Sequence, residues 1–222
     1  DALILSPLTN ECLVSAVNTA IESDIPIVNA NCEYIAAADT FVGASQIEIG
    51  HIAADYIADK LGGSGKVAII EGVAGTFTSI QRVNGFKEQV EAKYPDIEII
   101  ASVPADYEME KGMNVATDIL TQNSDVDAIY GCNDNMALGA VEALRAADKL
   151  GEVIVTGVDG TGDAYKSIHA GELTATVDQF MDKNGVAAVD VAFRLLAGQD
   201  IPRVVETPIA VIDENNAADY NK

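Results

Sequence analysis

Short runs of β-branched and aliphatic residues alternate with amphipathic stretches of helical period along the whole chain, and this alternation most narrows the fold. Residues 2–5, 25–28, 66–70, 97–103, 128–131, 153–155 and 174–177 read as strands, a further strand begins at Phe41-Val42, and terminal strands fall around 204–212. Between them, helices are expected from a Thr9 or Asn10 cap to about Ser23, and over 46–61, 79–93, 110–122, 134–147, 162–169 and 183–197. Gly62-Gly63 supplies a C-terminal stop for the second of these. Strands that alternate with helices build parallel sheets covered on both faces, so the expected class is α/β with doubly wound parallel sheets. A chain of 222 residues holds one large α/β domain or two lobes of roughly 100 residues each.

Charge excludes several functions. With 35 acidic against 13 basic residues the formal net charge is -22, which repels nucleic-acid phosphates and anionic membranes over much of the surface. No apolar run approaches the ~20 residues that span a bilayer, and the first residues show neither a basic n-region nor a cleavage pattern. Cys12, Cys32 and Cys132 lie far apart without a CxxC, and His51 and His169 are the only histidines, so neither a structural zinc nor any other metal or cofactor is expected. The thiols read as small, half-buried hydrophobes, and the odd count does not suit a disulfide-stapled fold. The loop Gly72-Val73-Ala74-Gly75 has neither the GxGxxG nor the GxxxxGK[ST] spacing of a phosphate cradle.

Parallel α/β sheets bind ligands at the carboxyl ends of their strands. Those positions hold Ser6, Asn31, Tyr107, Asn133, Asp159 and Gln179. A catalytic triad would need one nucleophile with a matched base, whereas this is a set of amides, hydroxyls and a carboxylate recurring at element boundaries. Such groups accept and donate in planes, which suits adjacent hydroxyls on a polyhydroxylated ligand. The chain is therefore expected to bind rather than to catalyse.

Three stretches carry a family resemblance: Gly131-Cys132-Asn133-Asp134-Asn135-Met136-Ala137-Leu138-Gly139-Ala140, then Gly157-Val158-Asp159-Gly160-Thr161, then Thr174-Ala175-Thr176-Val177-Asp178-Gln179. In order and spacing they resemble the type I periplasmic sugar-binding proteins, closest to the ribose-binding branch, and the likeness extends over essentially the entire chain. It implies two lobes joined by a hinge that close on a sugar: 1–44 plus 180–206 as an N-terminal lobe, and 45–179 plus 207–222 as a C-terminal lobe. The crossovers would lie near 43–45, 179–180 and 206–208. The resemblance implies that Arg82, Asn133, Asp159 and Gln179 hydrogen-bond the sugar, that Tyr107 packs against its ring, and that Ser6 and Asn31 are the first lobe's contributions. The implied role is the solute receptor of an ABC-type sugar importer, with a membrane permease and a chemoreceptor as partners. The protein would be periplasmic or extracellular and membrane-anchored, and monomeric at full length. The family's opening strand, helix, strand and helix have no counterpart before Asp1, so the first lobe is expected to be incomplete, with a bared strand edge.

Other readings compete at single positions. A lone helical arginine such as Arg82 is usually a solvated charge; Asp159 and Asn133 both stand where a helix cap is expected; Tyr107 could be a rim aromatic, and Gln179 could satisfy hinge backbone. The same fold also serves as the effector core of lactose-repressor-type regulators and as a sensory ectodomain. Two departures bear on the ligand. Asn31-Cys32 stands where ribose-binding relatives usually carry an Asp-Arg pair, and Val158 stands where they often place an aromatic. Another pentose, a hexose, a polyol or a furanosyl signal therefore stays open.

Overall fold

The structure, a computed structural model, describes residues 1–9, 11–32 and 35–220. The proposed cap at Asn10 lies outside the described residues. The chain divides into two compact units: 1–45, 76–78 and 179–208 form unit 1, and 46–75, 79–178 and 209–222 form unit 2.

Unit 1 is built on a parallel sheet ordered β1-β2-β3-β9, from Leu3–Leu5, Ile27–Ala30, Thr40–Gly43 and Val204–Glu206. Successive strand residues face opposite sides, and the packing follows that alternation. Ile27 joins Val17 and Ala20 of α1 (Val14–Glu22), whereas Val28, Ala30 and Val42 pack against Ala188, Val191 and Ala192 of α7 (Met181–Leu196). The two helices therefore cover opposite faces. A 3-10 turn over Glu11–Leu13 precedes α1, so the regular helix starts later than its sequence pattern suggests. Arg203 ties the start of β9 to the segment before β3, its guanidinium donating to the carbonyls of Ala36, Ala38 and Asp39. β1 forms one edge of the sheet with Ile4 exposed, and α7 exposes Val186, Val189, Phe193 and Leu196.

Unit 2 carries a six-stranded sheet ordered β10-β8-β7-β6-β4-β5: Ala210–Asp213, Ala175–Asp178, Ile154–Asp159, Ala128–Gly131, Ser64–Glu71 and Asp96–Pro104. All neighbours are parallel except β10 and β8. Four helices connect the parallel strands: α3 (Phe77–Lys93), α4 (Met109–Gln122), α5 (Asp134–Ala146) and α6 (Gly162–His169), while α2 (Gln46–Leu61) precedes β4. From β4 the chain steps outward to β5, then returns past β4 to β6, so the winding reverses between β4 and β6. Right-handed crossovers then place α3 on one face and α4, α5 and α6 on the other. The core is dense: Val67, Ala68, Ile69, Ile70, Ala128, Ile129 and Tyr130 are fully buried, and the Phe86 and Tyr130 rings stack at 4.8 Å.

Glycines let the helices on each face touch backbone to backbone. A Cβ on Gly85 of α3 would lie 2.1 Å from the Ile47 carbonyl oxygen of α2, and one on Gly50 of α2 would lie 2.3 Å from the Arg82 carbonyl oxygen. Gly112 and Gly139 do the same where α4 crosses α5. The obstructing atoms are backbone, so an added methyl must push the helices apart. Gly85→Ala is expected to cost about 1–3 kcal/mol or more, by the usual penalty of overpacking, as measured by urea denaturation. An unchanged midpoint would show that α2 and α3 do not cross this closely.

Candidate ligand-binding site

The winding reverses between β4 and β6, and open α/β sheets bind ligands outside the carboxyl ends of the strands at such a reversal. Arg82, on the second turn of α3, reaches this point. Although only 4% exposed, it keeps its charge through three anchors. Nε donates to Gln46 Oε1 at 2.8 Å, Nη1 donates to the carbonyl of Cys132 just beyond β6, and Nη1 also faces Asp159 Oδ1 at 3.4 Å. Burial opposes the charge, but the carboxylate of Asp159, aided by Tyr130, Tyr107 and Cys132, more than compensates and holds the guanidinium above the ordinary arginine value. Among the described residues Nη2 has no hydrogen-bond acceptor, which leaves one edge of the fork available to a ligand oxygen.

Asn133 both caps and lines the site. Its Oδ1 accepts from Met136 N at 2.9 Å as the N-cap of α5, while Nδ2 points to the Tyr107 carbonyl at 3.5 Å. Capping therefore uses Oδ1 and leaves Nδ2 to reach the turn after β5. Tyr107 follows β5 in a turn where it and Asp106 both have left-handed backbones, φ 62° and 53°. Its ring lies directly on Gly72, whose hypothetical Cβ would sit 2.1 Å from the ring Cζ. Any side chain at position 72 would displace the aromatic ring.

Asp159 ends β7 with φ 119°, a conformation an L-residue rarely adopts. It does not cap the following helix, a role its position allowed: Thr161 is the N-cap of α6, accepting from Ala164 N at 3.2 Å. The turn is held from below by Asp134, a fully buried residue in the first turn of α5. Thr161 N donates to Asp134 Oδ2 at 2.7 Å, Thr176 Oγ1 donates to Asp134 Oδ1 at 2.6 Å, and Gly160 N donates to Thr176 Oγ1 at 3.3 Å. Sequence reasoning missed Asp134, Thr176 and Gln46, since an acid after a cap reads as a helix-dipole residue and nothing local signals a long-range acceptor.

In unit 1 the structure gathers Ser6 and Asn31 around Cys32 at the ends of β1 and β2. Ser6 Oγ donates to Cys32 Sγ at 3.4 Å and Asn31 Nδ2 does so at 3.5 Å. Asn31 turns through φ 65° and donates its backbone N–H to the Val42 carbonyl. Gln179, 2% exposed, opens the segment that returns to unit 1 after β8. Arg82, Tyr107, Asn133 and Asp159 thus form one group within unit 2, and Ser6 and Asn31 form another within unit 1. Among the described residues no cluster of three metal-ligating side chains occurs, and no helix is long and apolar enough to cross a membrane.

Burial, followed by the neighbouring negative charge of Asp159, pushes the Asp134 carboxyl up to about 7. An unfolded aspartate titrates near 4, so between about pH 4 and about pH 7 the folded protein binds a proton that the unfolded chain does not. This group's contribution to stability therefore falls as pH rises through that window. Relative to Asp134→Asn, the native protein should lose on the order of 2–4 kcal/mol between pH 5 and pH 8 in urea denaturation. A difference independent of pH would contradict the buried-carboxylate reading.

The periplasmic binding protein domain family matches residues 1–200. The ribose import binding protein RbsB of Haemophilus influenzae is 35% identical over 219 residues, covering 96% of this chain and 72% of that protein. A D-allose-binding periplasmic protein of Escherichia coli is 38% identical over 186 residues, covering 80% of this chain and 60% of that protein. Among solved structures, an ABC transporter periplasmic solute binding protein from Actinobacillus succinogenes with bound D-allose superposes with a TM-score of 0.93 at 34% identity, over 99% of this chain and 80% of that one. A solute binding protein from Bacillus halodurans with bound myo-inositol gives 0.91 at 31% identity, over 99% and 76%. With its parallel α/β sheets, a family match over residues 1–200 and these relatives, the chain belongs to the periplasmic binding protein family.

Proposed function

We propose that the chain is the solute-binding component of an ABC-type sugar importer, taking up a monosaccharide or related polyol by reversible hydrogen bonding and performing no chemistry. The observation that carries this reading is the Arg82–Asp159 pair at the strand reversal. A fixed guanidinium with an open edge beside a carboxylate can satisfy both donor and acceptor of neighbouring hydroxyls, and Asn133 stands next to it. Relatives named for ribose and allose, and a solved structure with bound myo-inositol, support a small neutral polyhydroxylated ligand.

In this reading Ser6, Asn31 and Gln179 supply unit 1's share of the ligand's hydrogen bonds, Tyr107 packs against the ring, and ligand-driven closure about the chain crossovers presents a surface to the permease. Family membership implies an extracytoplasmic location; membrane anchoring, a chemoreceptor partner and a monomeric state belong to the proposal. A sensory role draws on the likeness to the fructose binding periplasmic domain of a hybrid two component system, 26% identical with a TM-score of 0.90.

A ligand that binds only the folded protein adds about 2.7 kcal/mol at a hundred times its Kd, so thermal denaturation with D-ribose, D-allose and myo-inositol should show a clear rise in Tm with at least one. Arg82→Ala should abolish most of that rise and lower affinity by on the order of 2–4 kcal/mol, because its buried partners lose their donor. No rise with any pentose, hexose or polyol, or wild-type affinity in Arg82→Ala, would overturn the reading.

A further inference from the structure

The proposed sugar site depends on Asp159 pointing at Arg82 from a backbone conformation that costs energy to hold. With φ at 119° for Asp159 and 71° for Gly160, the end of β7 is not a turn that a chain adopts unaided. Position 160 admits only glycine, since a Cβ there would fall 2.1 Å from the Asp178 carboxyl carbon and φ 71° is strained for any other residue. Something must over-determine this geometry, and three hydrogen bonds beneath it lead to one side chain. Asp134 accepts from Thr161 N, on the far side of the turn, and from Thr176 Oγ1, which in turn accepts from Gly160 N. Asp134 is itself packed against β7, where a Cβ on Gly157 would lie 2.4 Å from its Oδ1.

Resting on the sugar-site reading above, we propose that Asp134 is a positioning residue for ligand recognition: its buried carboxylate clamps the Asp159-Gly160-Thr161 turn and so aims Asp159 at the guanidinium of Arg82. Asp134 makes no contact with the ligand. Two backbone- and hydroxyl-borne donors need two acceptor oxygens, and only the ionised carboxylate offers both without a proton of its own. The titratable groups around it are Asp159 at the end of β7, Asp178 on β8 and Tyr165 on α6, whose hydroxyl donates to Asp178; Arg82 lies beyond Asp159. Protonation of Asp134 removes one acceptor position and loosens the turn, so ligand affinity should fall as the solution is acidified through neutrality.

The test is calorimetric titration of D-ribose, D-allose and myo-inositol into the wild type, Asp134→Asn, Asp159→Asn and the double variant, at about pH 8 and about pH 6, on either side of the value near 7 set by burial. Asp159→Asn should weaken binding about 30-fold and Asp134→Asn about 10-fold, with the double variant no weaker than Asp159→Asn alone within about twofold, since one residue acts through the other. The wild type should bind more weakly at the lower pH, and Asp134→Asn should lose that dependence. Should Asp134→Asn fail to fold, Thr176→Val removes the same relay and Thr176→Ser restores it. Losses that multiply in the double variant, or a pH dependence that survives in Asp134→Asn, overturn the positioning role while leaving Asp159 in the site. Wild-type affinity in Asp159→Asn, or no binding of any probe by the wild type, overturns the site reading and this proposal with it.

Discussion

A buried guanidinium is the constraint around which unit 2 is arranged. Removing a positive charge from water is costly unless it is paired and hydrogen-bonded, and Arg82 meets that condition only where three separate elements converge. Gln46 comes from the start of α2, the Cys132 carbonyl from the end of β6 and Asp159 from the end of β7. Each anchor fixes one element relative to α3. The glycine crossing of α2 and α3 brings Gln46 within reach, and the reversal of winding between β4 and β6 sets the ends of β6 and β7 beside the guanidinium. Packing, topology and electrostatics thus agree on one position for one side chain.

The two units offer different chemistry at their strand ends. Unit 2 presents an ion pair stiffened by a second layer of hydrogen bonds running through Thr176 to Asp134, which makes the direction of the Asp159 carboxylate a property of the fold rather than of a flexible loop. Unit 1 presents a hydroxyl, an amide and a thiol from Ser6, Asn31 and Cys32, held by long contacts to sulfur. In the proposed site a charged fork would set strong, directional contacts, whereas a neutral hydroxyl, amide and thiol would tolerate differences in the hydroxyl pattern.

Much of this architecture is legible in the chain itself, because helix period and strand boundaries are local. Gln46–Leu61, Gly162–His169 and Ala128–Gly131 fall where the pattern puts them. The pattern goes astray where tertiary burial overrides it. It places β2 at 25–28, yet the strand runs Ile27–Ala30, because Asn29 is accommodated in the sheet by donating to the Leu5 carbonyl while its Oδ1 takes the Ile35 N–H. It stops β7 at Val155, yet the strand continues through Thr156 and Gly157 to Asp159, since a glycine there lets α5 approach. Ser6, Asn31, Asn133 and Asp159 were visible as polar residues closing apolar runs, and Arg82 only through the family resemblance. Asp134, Thr176 and Gln46 were not visible, because their partners lie 27, 42 and 36 residues away.

Sugar recognition in this protein requires Arg82 and Asp159 to face the ligand together. A crystal structure of the protein with a bound monosaccharide measures this directly. Ligand hydroxyl oxygens within hydrogen-bonding distance of both Arg82 Nη2 and the Asp159 carboxylate are the expected result, and a sugar seated elsewhere, with the pair closed only on itself, would contradict it.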